Sequence, residues 1–145
     1  MRNFAAITKA LASEKRLRIL MALRGGSLSE SVLTALLGLS PSTVSKHLWV
    51  LRRARLVESD KAGRCVCYRL APGEPGGEVG PTLQWLQECL GSNPQMQRDR
   101  GRVATLSRRS SVQAECRGRR QSLAIRLSRV LTPAARPRGA SNPER

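Results

Sequence analysis

The stretch GLSPSTVSKHLWVLRRARLV, residues 38–57, constrains the fold more than any other part of the chain. Gly38 closes the apolar run ESVLTALLG, whose start offers Ser29 as a helix cap. Only Leu39 then separates Gly38 from Ser40, a good N-cap residue. Pro41 follows at the first helical position, where a missing N–H costs nothing. Two short helices joined by a tight glycine-containing turn, the second capped in this way, describe a helix-turn-helix.

On a helix running from Pro41 to about Arg55, Val44, Leu48 and Leu51 fall on one side and must face a core. Ser42, Thr43, Lys46, Trp49 and Arg53 fall on or near the other side. Hydroxyls can bond base edges, and a lysine beside a helix N-terminus favours phosphate. Arg52, Arg53 and Arg55 follow, placed to contact a nucleic-acid backbone. An ordinary solvated helix face carries similar residues. The short helix before it, the tight turn and the hairpin after it favour DNA reading.

The flanking segments complete one small domain over residues 1–91. NFAAITKALA places Phe4, Ile7 and Leu11 at helical spacing. Ser13 offers an N-cap to EKRLRILMALR, with Leu17, Leu20 and Leu23 in register, and Gly25-Gly26 ends that helix. After Arg55 the period changes to two. LVESD, a turn at residues 61–63, and RCVCYRLA read as two strands, with Val66, Tyr68 and Leu70 on one face and Cys65, Cys67 and Arg69 on the other. The expected fold class is therefore mainly α with a small β-hairpin, a winged helix-turn-helix. PGEPGGEVGP reads as a linker. TLQWLQECLG is a further helix, with Cys89 in its core beside Trp85 and Leu86, and a broken helical extension reaches about residue 106.

Residues 107–145 are rich in Arg, Ser, Pro and Ala and lack aromatics, and are expected to form a basic, disordered tail. Such a tail either adds non-specific phosphate contacts or has no selected role, as the product of a shifted reading frame would. The chain carries 26 basic and 10 acidic residues, net +16. Residues 98–145 hold half of the basic ones and only three acidic ones. A balance this basic points to a polyanionic partner. No secretory signal and no apolar run of membrane-spanning length is visible. The four cysteines lack the spacing of a disulfide framework, so a cytoplasmic location is expected. Catalysis is not expected: there is no Cys-x-x-Cys, no phosphate-cradling glycine loop, and His47 is the single histidine.

The motifs ALASEKRLRILMAL, LLGLSPSTVSKHLWVLRRARLVES and GRCVCYRL, in this order and spacing, make residues 4–70 resemble the ArsR/SmtB family of winged-helix transcriptional repressors. The resemblance implies a cytoplasmic homodimer, paired through its first and last helices, that binds double-stranded operator DNA. Two recognition helices would enter successive major grooves about 34 Å apart. By position, Ser40, Ser42, Thr43, Ser45, Lys46 and His47 match the DNA-reading stretch and Arg64 the wing tip. His47 borders the apolar stripe, so a structural role fits it as well as a DNA contact. A non-specific nucleic-acid-binding protein, favoured by charge alone, is the alternative function.

The resemblance also implies release by an inducer, often a thiophilic or transition metal ion, yet the usual sensor positions are changed. Arsenic-sensing members carry a Cys-Val-Cys at the start of the third helix, and those cysteine positions are Ser29 and Ser31 here. Serine is a hard, neutral donor and a poor substitute for thiolate on As(III) or Zn(II). The other common site, Asp and His pairs on the last helix, lacks its histidines. What remains is Cys65 and Cys67, on one strand face about 6–7 Å apart, with Cys89 or a second subunit's thiol as a third ligand. The same cysteines also read as small apolar fillers of a half-buried sheet, which is how a free cysteine usually behaves.

Overall fold

The structure, a computed structural model, describes residues 2–111, 113, 114 and 116. The elements follow in the order α1 (Arg2–Leu11), α2 (Glu14–Leu23), β1 (Leu28–Ser29), α3 (Glu30–Leu37), α4 (Pro41–Arg53), β2 (Val57–Ala62), β3 (Cys65–Leu70), α5 (Val79–Leu90) and α6 (Pro94–Arg109). Ile7, Ile19, Leu20, Leu33, Leu36, Leu48 and Leu51 are all at most 1% exposed and form one core between α1, α2, α3 and α4. Full burial of each such side chain contributes about 1.5–3 kcal/mol. Among the described residues no helix is long and apolar enough to cross a membrane.

The buried stripe of α1 runs through Ile7 and Ala10, while Phe4, at helical spacing from Ile7, is 56% exposed. Ser13 takes the extended N-cap conformation, but its hydroxyl makes no capping bond. Arg16 works at that junction instead: its guanidinium donates to the carbonyls of Lys9 and Ala10 and closes the C-terminus of α1.

The hairpin belongs to a three-stranded antiparallel sheet of order β1-β3-β2. The turn starts two residues later than expected and ends one later. Lys61 and Ala62 belong to β2, Ala62 pairs with Cys65, and Gly63-Arg64 forms the two-residue loop. Gly63, at φ 60°, occupies the first loop position, which such turns reserve for glycine. Strand β1, only two residues long, escaped sequence reading. It sets Leu28 opposite Tyr68 and Ser29 opposite Cys67.

The C-terminal third departs most from expectation. The linker ends at Val79, and Pro81 sits within the first turn of α5. Leu86 is buried there, but Trp85 and Cys89 are exposed, so Cys89 does not join the core. The stretch expected as a broken extension is one 16-residue helix, α6, capped by Asn93, whose Oδ1 accepts from the Gln95 N–H. It docks on the core through Val103 and Leu106 and on α2 through a buried ion pair. Arg18 Nε and Nη2 donate to Asp99 Oδ2 and Oδ1 at 2.6 and 2.9 Å.

The boundary expected at 107 therefore falls inside α6, and Ser107, Gln113 and Cys116 are buried. Residues 112, 115 and 117–145 of the expected tail lie outside the described residues. Gln113 serves as a substitute strand: its Oε1 accepts from Ser29 N–H at 2.8 Å and its Nε2 donates to Ser27 C=O at 2.7 Å. These groups point away from β3, so one amide covers the free edge of β1. Cys116, to which the sequence assigned nothing, is disulfide-bonded to Cys67. This covering explains why neighbours on opposite faces of β3, Cys67 and Tyr68, are both buried.

Burial alone would push the Asp99 pKa up. The hydrogen bonds from Arg18 and Gln95 and the charges of Arg18 and Arg102 outweigh it and hold the carboxyl below its ordinary value. The stabilisation is therefore present at neutral pH and is lost as pH falls below about 4, through the folded-state value. Asp99→Asn is expected to cost about 3 kcal/mol in urea unfolding at pH 7, because it leaves the Arg18 charge buried without its partner. It should also flatten the dependence of stability on pH below about 4.

Candidate nucleic-acid interface

The turn between α3 and α4 is set by two local devices. Gly38 adopts the left-handed conformation at φ 64° and its N–H returns to Thr34 C=O at 3.0 Å, closing α3. Two residues later Ser40 caps α4, its Oγ accepting from Thr43 N–H, with Pro41 in the first turn. The same oxygen lies 2.8 Å from Thr43 Oγ1 and 3.2 Å from Ser42 Oγ. Three hydroxyls thus cluster at the positive end of the helix dipole, a place suited to an anion or a base edge.

Rotation of α4 about its axis is fixed by Val44, Leu48 and Leu51, at 0–1% exposure. Opposite them Ser42, Ser45, Lys46 and Arg53 are exposed, and Thr43 is partly exposed. Trp49 is 56% exposed, with the Arg53 guanidinium stacked over its ring at 4.9 Å from the centroid. This contact holds the arginine on the outer face, where its remaining donors can reach a phosphate. The structure thus brings Ser40, Ser42, Thr43, Ser45, Lys46 and Arg53 to one accessible face. Arg64 sits apart at the tip of the hairpin, exposed within its turn.

His47 lies at the margin of this face and is partly buried. Burial, then the charges of Arg16 and Lys15, push its pKa below the ordinary value, so the imidazole is neutral at pH 7.

The C-terminus of α4 carries a feature that the sequence alone did not reveal. Leu56 N–H bonds to Leu51 C=O and Arg55 N–H to Arg52 C=O, which places Arg55 in the left-handed region at φ 56°. The motif draws Leu56 and Leu51 together in the core and turns the chain into β2. Glycine is the residue that tolerates this conformation at least cost, and Arg55 is exposed.

The cysteines are not assembled as expected. Cys67 is bonded to Cys116, which leaves Cys65 a partly buried free thiol in the hairpin and Cys89 an exposed one on α5. Among the described residues no group of three or more His, Cys, Asp or Glu is placed to hold a metal ion. In this disulfide form Cys67 has no thiolate to offer a metal.

Arg55→Gly is expected to raise stability by about 0.5–1 kcal/mol in denaturant unfolding, by relieving the left-handed arginine. The same variant should weaken binding to duplex DNA, measured by fluorescence anisotropy. Opposite signs for fold and binding would separate the two roles of this position.

A family profile described as "Bacterial regulatory protein, arsR family" matches residues 13–59, from the start of α2 into β2. The HTH-type transcriptional regulator NmtR of Mycobacterium tuberculosis is 44% identical over 66 residues, covering 46% of this chain and 55% of that protein. The HTH-type transcriptional regulator CmtR of Mycobacterium bovis is 41% identical over 80 residues, covering 55% of this chain and 68% of that protein. The chain thus spans 55% of the length of one of these relatives and 68% of the other. Among solved structures, the homodimeric winged helix-turn-helix DNA-binding domain of Mb0332 from Mycobacterium bovis superposes with a TM-score of 0.54 at 30% identity. That match covers 62% of this chain and 80% of the other. Sequence motifs, fold and relatives agree that this chain belongs to the arsR family of bacterial regulatory proteins.

Proposed function

We propose that the chain is a sequence-specific, DNA-binding transcriptional repressor that acts as a homodimer and leaves its operator when an inducer binds. The observation that carries this reading is the outer face of α4, where Ser42, Ser45 and Lys46 lie exposed above a fully buried stripe. A helix built for core packing alone does not need three hydroxyls gathered at its capped N-terminus. Placed in a major groove, Ser42, Thr43 and Ser45 read base edges, while Lys46 and Arg53 meet phosphates. Arg64 at the wing tip meets the adjacent backbone.

The dimer reading is supported by Phe4 on α1 and Trp85 on α5, each 56% exposed, large apolar side chains that a second copy would cover. It is also supported by the homodimeric Mb0332 domain. A repressor of this kind works where the chromosome is, in the cytoplasm. The inducer acts by binding one conformation better than the other and shifting the population off DNA. A thiophilic metal or metalloid such as As(III) or Zn(II) fits the wing thiols Cys65 and Cys67, with Cys89 or a partner's thiol completing the set. That chemistry requires Cys67 to be reduced.

The test is fluorescence anisotropy with the DNA upstream of the protein's own gene and a shuffled duplex, at about 150 mM salt, with and without arsenite or zinc. The reduced protein is expected to prefer the upstream duplex at least tenfold. Lys46→Ala should lower the slope of log affinity against log salt by about 1. Arsenite or zinc should release the DNA from the reduced wild type, and release by the Cys65→Ser/Cys67→Ser double variant at the same concentration would remove the wing from the sensor. Equal affinity for both duplexes would reduce the activity to charge-driven nucleic-acid binding. Phe4→Glu with Trp85→Glu should convert a dimer into a monomer in sedimentation analysis.

A further inference from the structure

Along the exposed strip of α4 an aromatic plate lies between two cations. At about 100° per residue, Ser42, Lys46, Trp49 and Arg53 fall within about 60° of one another on the helix. At a rise of about 1.5 Å per residue, Trp49 stands about 4.5 Å beyond Lys46 and about 6 Å before Arg53. Lys46 and Arg53 are exposed, and Trp49 keeps 56% of its surface open although the Arg53 guanidinium stacks on it at 4.9 Å from the ring centroid. One stacked guanidinium covers one face of an indole and leaves the other. A single exposed aromatic is ordinary on a protein surface and needs no partner. The order cation, aromatic, cation on the strip that faces away from the core is what points to one.

We infer that Trp49 is itself a DNA contact, its ring packing on a deoxyribose between the phosphates met by Lys46 and Arg53, an inference that rests on the DNA-binding reading of α4. A nucleic-acid strand alternates anionic phosphates with sugars whose C–H groups are apolar, so the strip is its complement. The base edges are met by the first turns of such a helix. Trp49 lies about 10.5 Å along the axis from Ser42, close to the width of a major groove, about 12 Å. Its ring therefore arrives at the groove wall, where the backbone runs. The indole N–H, a donor without an acceptor, suits a phosphate oxygen beside the same sugar.

The neighbouring surface keeps the strand on this strip. Trp49, Arg52 and Arg53 also border a hollow of about 840 Å³, but Glu58, Glu74 and Glu78 line it too. Those carboxylates repel a polyanion, so the backbone stays outside the hollow and against α4. Trp49 thus adds affinity and fixes the register of the helix on the duplex without reading sequence.

The test separates a contact made by the ring from the support it gives to Arg53. Full-length Arg53→Ala and Arg53→Ala/Trp49→Ala are titrated by fluorescence anisotropy with the upstream and the shuffled duplex, because in this background no guanidinium is left for the ring to hold. Loss of Trp49 is expected to weaken both duplexes by the same factor, about three- to tenfold. The slope of log affinity against log salt should not change, since an apolar contact releases no counterion. In a Trp85→Phe background Trp49 is the single tryptophan of the chain, and its quenching by acrylamide should fall when duplex is bound. No further loss on removing Trp49 would reduce the ring to a support for Arg53. A loss confined to the upstream duplex would make it a base contact, and undiminished quenching would leave it in water. Each of these overturns the inference, whereas a wild type that binds neither duplex overturns the DNA-binding reading and the inference with it.

Discussion

Burial of Val44, Leu48 and Leu51 is the constraint on which the exposed face of α4 depends. Three apolar residues at helical spacing leave the helix one rotational setting, because a turn of about 100° toward Ser45 and Arg52 would put those two in the core and Leu51 in water. Everything on the other side follows. The hydroxyls of Ser40, Ser42 and Thr43 come out at the capped end, and Arg52, Arg53 and Arg55 at the far end. The interface is thus positioned by packing rather than by contacts of its own. Among the described residues its side chains meet one another in the free protein, in the Trp49–Arg53 stack and in the hydroxyl contacts of Ser40 with Ser42 and Thr43.

The helix-turn-helix was legible in the sequence because each of its signals is local. Gly38, Ser40 and Pro41 fix their own backbone, and the i, i+4, i+7 stripe of α4 reports its buried side. The C-terminal third was not legible, for a physical reason. Helix α6 is held by a pair of opposite charges, Arg18 and Asp99, 81 positions apart, and few of its residues are apolar. Hydropathy patterning registers apolar faces and misses a helix docked by an ion pair. Strand β1 was missed because two residues show no period, and its far edge is satisfied by a side chain, Gln113, rather than by a strand.

The cysteines mark the same limit. Alternation along β3 correctly separated Cys65 and Cys67 from Val66 and Tyr68, but it could not say what covers their face. The answer lies 49 residues away at Cys116, in a stretch whose composition suggested no structure. The basic end of the described chain is accordingly more than a charged appendage, since residues up to 116 contribute a helix, an edge cover and a covalent tie. The charge remains on the surface: Arg98, Arg100, Arg102, Arg108 and Arg109 are all exposed on α6.

Strand β3 pairs on one side with β2 and on the other with β1, whose last residue, Ser29, is also the N-cap of α3. The hairpin is therefore not a loose flap. It is bonded through its central strand to the residue from which the helix pair starts, so reading helix and wing form a single stiff tool. In the proposed dimer such a tool cannot adapt to a stretched or compressed operator by bending the wing alone. Tolerance for altered half-site spacing would have to come from the seam between subunits, and the mechanics of recognition would be decided farthest from the DNA.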